Sequence, residues 1–155
     1  MLYPEIIISD TSCLINLERI DAFSLLEKIF GKIVVTKEVA AEFGQPLPES
    51  FEIRSVPVQM TQELQTTGLD LGESRSIALA LILQEECYLL LDDQAARQEA
   101  VKRNLNITGL LGVLLLAKKR GIIRKIKPYI ERLQKVNFRM SQKLIQEVLR
   151  DAKEI

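Results

Sequence analysis

Ile6-Ile7-Ile8-Ser9-Asp10-Thr11-Ser12 decides how the rest of the chain is read. Three consecutive β-branched residues suit a short strand, and a run without polar alternation suits one covered on both faces. Asp10-Thr11-Ser12 then offers helix-start chemistry ahead of the apolar positions Leu14, Ile15 and Leu17. A buried strand that passes into a helix through an aspartate is the repeating unit of a parallel sheet. It leaves the aspartate at the strand's carboxyl end, where such sheets place their sites.

Working outward, Leu25, Leu26, Ile29 and Phe30 keep helical spacing until Gly31, so the first helix is expected to continue to that point. Ile33-Val34-Val35 reads as a second buried strand, and Thr36 as the cap of a helix burying Val39 and Phe43 and closed by Gly44. Pro46 and Pro48 make a loop. Phe51, Ile53 and the Val56–Val58 stretch suggest a weaker edge strand limited by Pro57. Two helices follow, the second opening at Gly72-Glu73-Ser74 and running through Leu83. Tyr88-Leu89-Leu90-Leu91 is a strand ending on Asp92-Asp93. A helix over 95–101, a short strand near Asn106 and Ile107, and a helix over 110–117 come next. Gly121 then breaks the chain, and amphipathic segments over 123–135 and 141–153 close it. Strands alternating with helices imply parallel pairing with right-handed crossovers. The expected architecture is an α/β three-layer αβα sandwich with a short parallel sheet of four to five strands and a helical C-terminus. It reads as a single domain over residues 1–155.

Hydrophobic residues at 47% and charged residues at 27% give the balance of a globular protein with a core. Twenty-one basic residues face twenty-one acidic ones, which excludes a globally basic nucleic-acid binder. The charge is nevertheless uneven: 118–139 holds nine basic residues and only Glu131 as an acid, so that stretch forms a cation surface. Cys13 and Cys87 form no CxxC pair, and a reducing cytoplasm is the expected location. Pro4 and Glu5 precede the first apolar run without a basic targeting segment. The apolar runs at 77–83 and 110–117 fall short of the roughly 18 residues of a membrane span. Histidine is absent, which excludes Ser-His-Asp triads, Cys-His dyads and histidine-bound zinc. Hydrolysis would have to run on carboxylates, hydroxyls, lysines or oxygen-bound metals.

The carboxylates fall in a suggestive order. Asp10 follows the first strand, and Asp92 with Asp93 follows Leu91. Glu42 lies one to two helical turns after the second strand, and Glu73 opens the helix before the Asp92 strand. Each has an ordinary reading: Asp10 as a helix cap, Glu42 as a solvated charge, Glu73 as a favourable first-turn acid, and Asp92-Asp93 as a cap with its neighbour. Thr11 and Ser12 read as capping hydroxyls. Their common placement at one rim argues for more. Oxygen donors of this kind suit Mg²⁺ or Mn²⁺, and a bound ion would relieve the repulsion among them.

These residues resemble the motifs of PIN domains. Ile8-Ser9-Asp10-Thr11-Ser12 looks like the opening Asp-x-Ser/Thr motif, and Val35-Thr36 through Glu42 is similar to the second. Leu71-Gly72-Glu73 with Ile77-Ala78-Leu79-Ala80 resembles the Gly-Glu helix. Leu91-Asp92-Asp93 with Ala96-Arg97 resembles the late aspartate motif of a prokaryotic branch that also shows Thr108-Gly109, Gly112, Leu114, Ala117-Lys118 and Gly121-Ile122. The similarity spans about 6 to 150. Many PIN domains carry Thr or Ser two residues before the late aspartate, where Leu90 stands here, and the doublet leaves open which of Asp92 and Asp93 turns inward.

The resemblance implies a central first strand and Mg²⁺ or Mn²⁺ bound by the acids. It further implies ribonuclease activity selective for single strands, and many small relatives are the toxins of toxin–antitoxin pairs. Carried over by position, Asp10, Glu42, Glu73 and Asp92 are the expected catalytic acids, Asp10, Glu73, Asp92 and Asp93 the expected metal ligands, and Ser12 helps to hold Asp10 or a water. The expectation is therefore a metal-dependent endoribonuclease with an RNA substrate, an antitoxin protein and a second copy or more of itself as partners. Lys118, Lys119 and Arg120 are candidates to contact RNA or an acidic antitoxin segment. One rival is a PIN fold that binds RNA or protein without strong catalysis. Another is a phosphoryl-transfer domain using Asp10 as nucleophile, which would want an aspartate where Ser12 stands.

Overall fold

The computed structural model describes residues 6–65, 68–83 and 86–155. The expectation drawn from Pro4 and Glu5 falls outside them. Within those residues the sheet has five parallel strands in the order β3-β2-β1-β4-β5. They are β1 (Ile6–Ser9), β2 (Lys32–Thr36), β3 (Phe51–Arg54), β4 (Cys87–Leu90) and β5 (Asn106–Thr108). β1 lies at the centre, with Ile8 opposite Val34 of β2 on one side and Leu89 of β4 on the other.

All four residues of β1 are buried, because helices cover both faces of the sheet. Ile7, Ile33, Val35 and Leu90 point into the larger core. It is filled by α1 (Thr11–Arg19), α2 (Ser24–Ile29), α3 (Lys37–Phe43), α7 (Leu110–Lys119), α8 (Lys127–Lys135) and α9 (Gln142–Asp151). Ile6, Ile8, Val34, Leu89 and Leu91 point the other way, onto α5 (Leu71–Leu83) and α6 (Gln94–Lys102). The short α4 (Gln62–Gln65) contributes Leu64 to that side. Each fully buried isoleucine contributes about 1.5–3 kcal/mol. The three-residue run at 6–8 is therefore a main anchor of the layers as well as the centre of the sheet.

The structure departs from the sequence expectation in two places. The first helix does not continue to Phe30. It ends at Ile20, and Asp21 takes the left-handed conformation with φ 55°. The Ala22 amide donates to the Leu17 carbonyl and the Asp21 amide to that of Glu18, the paired bonds of a Schellman stop. An aspartate can enter this region because its short polar side chain tolerates it, so no glycine announces the break. The third strand is an edge strand, but it stops at Arg54. Pro57 precedes a 3₁₀ turn at Val58–Met60, while Val56 turns into the α5 core.

Chain order fixes where a site can form. β1 is followed by β2 and β3 on one side, after which the chain returns to place β4 on the other. The connections leaving β1 and β4 diverge, so a crevice opens between the carboxyl ends of these two neighbours.

Candidate active site

Asp10 and Asp92 stand at that crevice. The Asp10 amide donates to the Leu90 carbonyl at 3.2 Å and so continues the β1–β4 ladder by one residue. Asp10 is only 3% exposed and caps α1, its Oδ1 accepting from the Cys13 amide at 2.9 Å. Burial pushes its pKa up to about 6; the Cys13 amide pulls it down, and the Asp92 charge pushes it further up. Ser12 Oγ lies 3.4 Å from each carboxylate oxygen, a long contact that steadies the group more than it neutralises it.

Asp92 also has its pKa raised, chiefly by burial, against the pull of the Cys13 thiol, the Arg97 charge and the Leu110 amide. Its Oδ2 is buried and has no hydrogen-bond partner among the described residues. Asp93 is different. It is exposed, and its Oδ2 accepts from the Ala96 amide at 2.9 Å, capping α6. The doublet thus divides into a half-buried Asp92 beside Asp10 and an exposed helix cap.

Asp10 itself lines a cavity of about 260 Å³ together with Thr11, Ser12, Ile15, Glu42, Asp70 and Glu73. Glu42 comes from α3, and its pKa is raised by burial and by Asp70. Glu73 comes from the first turn of α5. Burial raises its pKa to about 7, the Asp70 amide lowers it, and the charges of Asp70, Asp93 and Asp10 raise it.

Asp70 was not among the residues singled out in the sequence. It and Glu73 form a reciprocal cap: the Glu73 amide donates to Asp70 Oδ1 at 2.8 Å, and the Asp70 amide to Glu73 Oε1 at 3.2 Å. The Asp70-x-x-Glu73 spacing before an apolar helix is the signal that could have marked it.

Asp92 does not line this cavity. It borders an adjoining cleft with Arg97, Gly109 and Arg139. Among the described residues, no group of three acidic or cysteine side chains stands close enough together to hold one ion. The donor chemistry still fits a hard divalent cation. Asp10, Glu42, Glu73 and Asp92 are oxygen donors with raised pKa values, and an Asp92 oxygen is buried without a partner. Asp10 and Asp92 would hold such an ion from the sheet, and Glu42 or Glu73 from across the cavity.

The basic trio lies elsewhere. α7 begins beside Asp92 and runs back across the sheet, so Lys118, Lys119 and Arg120 stand at its far end, about 12–15 Å from its start by helical rise. Lys118 Nζ reaches the Ala152 carbonyl and, at 3.0 Å, Glu154 Oε2. Arg120 donates to the Ile29 carbonyl. Lys119 is exposed. Two of the three cations therefore tie helices together, at the pole opposite the acids.

A parallel αβα sheet with an aspartate on each side of its switch point, and further acids closing over one of them, defines the class. The PIN-domain family model matches residues 6–154, and the chain belongs to the PIN-domain family. The PIN domain is a nuclease-type fold whose members generally depend on divalent metals. No curated protein matches the chain. Among the described residues no helix is long and apolar enough to cross a membrane.

Proposed function

We propose that this protein is an Mg²⁺- or Mn²⁺-dependent endoribonuclease that hydrolyses phosphodiester bonds in single-stranded RNA. The observation that carries the reading is the placement of Asp10 and Asp92 side by side at the β1/β4 switch point, with Glu42 and Glu73 on the adjoining rim. A bound divalent ion supplies Lewis acidity toward a phosphoryl oxygen and lowers the pKa of a water. Asp10 is held by the Cys13 amide, so its position does not depend on side-chain searching. Glu73 has one oxygen tied to the Asp70 amide, leaving Oε2 to take up or return a proton.

By the family resemblance, the protein is further proposed to be the toxin of a toxin–antitoxin pair, acting in the cytoplasm, with an antitoxin protein and a second copy of itself as partners. A gene for a small DNA-binding protein beside this one would support the toxin assignment.

The absence of a ready three-acid cage among the described residues favours a second reading, a PIN fold that binds RNA without cutting it. One experiment separates the two. Purified protein is incubated with single-stranded RNA and Mn²⁺, with and without chelator, beside Asp10→Asn and Asp92→Asn. Metal-dependent cleavage lost in both variants supports the nuclease. Equal cleavage by Asp10→Asn would trace the activity to a contaminant and sink the assignment.

A further inference from the structure

We infer that the cleft bordering Asp92 is a nucleotide subsite: Arg97 and Arg139 hold a backbone phosphate next to the cleavage position, and the apolar floor takes the adjoining base. The inference rests on the nuclease reading and names where the substrate strand leaves the acids.

The cleft measures about 600 Å³, within the roughly 300–1,000 Å³ range of small-ligand sites. It lies between α6, β5, α7, α9 and the segment joining α8 to α9. Its lining includes Arg97, Arg139 and Gln94 as polar donors and Leu115, Phe138 and Leu144 as apolar surface. Among the described residues, Asp92 is its only acid. The 260 Å³ cavity next door has the opposite character: among the described residues it is lined by four carboxylates and no cation. An RNA strand needs both: acids where the bond is cut, and cations where the chain is held.

Arg97 is built into place. Its Nη1 donates to the Leu91 carbonyl at 2.8 Å, which fixes the guanidinium beside Asp92 and uses one of five N–H groups. Gly109 makes room for it. A Cβ on Gly109 would stand 3.1 Å from Arg97 Nη1 and 3.7 Å from Asp92 Oδ1. The Gly109 backbone is extended, with φ −117°, so the demand there is for space and not for glycine's conformational freedom. Arg139 is exposed and, among the described residues, has no ion-pair partner, unlike Lys118. A forked guanidinium matches phosphate oxygens in pairs, and half-buried Phe138 offers a face for a base. An acidic peptide could meet the same two arginines, but it would gain nothing from adjoining the cleavage acids.

The test uses a 2′-O-methyl hexanucleotide, which binds without being cut, and fluorescence anisotropy in chelator across a salt series. Arg139→Gln and Arg97→Lys are compared with wild type, and Lys119→Gln serves as a surface control at the far pole. Arg139→Gln should weaken binding on the order of tenfold and flatten the salt slope by about one unit. Arg97→Lys keeps a charge but loses the fork, so it should weaken binding less while leaving the slope near that of wild type. Lys119→Gln should change neither. Unchanged affinity and slope in Arg139→Gln would overturn the subsite, as would displacement of the oligonucleotide by poly-glutamate at equal charge. Neither result touches the nuclease reading, which stands or falls on Mn²⁺-dependent cleavage by the wild type and its loss in Asp10→Asn.

Discussion

Glu42 of the acid cavity packs so closely against Gly72 that a Cβ on Gly72 would stand 2.5 Å from Glu42 Oε1. The glycine in α5 therefore sets how far the α3 carboxylate can reach. Gly72→Ala should displace the tip of a flexible side chain while leaving the helix intact. Alanine is the better helix former by roughly 0.5–1 kcal/mol, so the melting temperature should hold or rise. Cleavage should fall about tenfold or more, the equivalent of at least about 1.4 kcal/mol of barrier. Glu42→Gln should show a similar loss. A Gly72→Ala protein with full activity would remove Glu42 from the mechanism.

Asp92 and Asp93 should separate under mutation. Asp93→Asn keeps an oxygen that can accept from Ala96, so stability and cleavage should both stay near wild type. Asp93→Ala removes the α6 cap and should cost about 1 kcal/mol in denaturant unfolding. Asp92→Asn should abolish cleavage with the fold unchanged. Asp93→Asn losing activity as completely as Asp92→Asn would reverse the two assignments.

These two residues also show how far the sequence reaches. The apolar runs at 6–8, 33–35 and 88–91 made the parallel sheet legible, because only strands covered on both faces lack alternation. Asp10 and Asp92 were legible as acids at strand ends. Which member of the doublet turned inward was not, since both an inward acid and a cap are consistent with the same dipeptide. The break at Asp21 was hidden because its left-handed residue is not glycine. Lys118 looked like open charge because its partner, Glu154, lies 36 positions away and meets it only in the folded chain.

Stability should depend on pH in the direction opposite to that of most proteins when metal is absent. Asp10 rises from 3.8 to about 6 on folding, and Glu73 from 4.5 to about 7. The folded state therefore holds protons that the unfolded state releases. This contribution is complete below about pH 4 and is lost as pH climbs through 6 to 7. For Asp10 the two-unit shift corresponds to about 3 kcal/mol. Chelated protein should melt lower at pH 8 than at pH 5.5, and Asp10→Asn should flatten that difference while being no less stable at pH 8. Added Mn²⁺ should raise the melting temperature more at pH 8 than at pH 5.5, because it binds the ionised acids. A chelated wild type more stable at pH 8 than at 5.5, with Asp10→Asn tracking it in parallel, would show that Asp10 does not carry this proton.

Glu154 accounts for the far pole of the molecule and for the expected behaviour of Lys118. Its Oε2 accepts from the Ile126 amide at 2.7 Å and from Lys118 Nζ at 3.0 Å, and its Oε1 accepts from the Lys127 amide at 3.1 Å. The start of α8 has no side-chain cap from its own N-cap residue, Ile126, so a carboxylate from beyond α9 supplies one. Burial pushes the Glu154 pKa up, but these bonds and the Lys118 charge outweigh it and hold the pKa below the ordinary value. Glu154→Ala removes all three acceptor contacts and should destabilise by about 2–4 kcal/mol, on the scale of hydrogen bonds to a charged group. Lys118→Met leaves both amide bonds in place and should cost less, about 1–2 kcal/mol. Since its ammonium is already engaged, Lys118→Met should leave RNA affinity and its salt slope unchanged once the protein is folded. Chemical denaturation and anisotropy titration of the same samples give both quantities. A Lys118→Met protein of normal stability whose RNA salt slope drops by about one unit would return Lys118 to the RNA track.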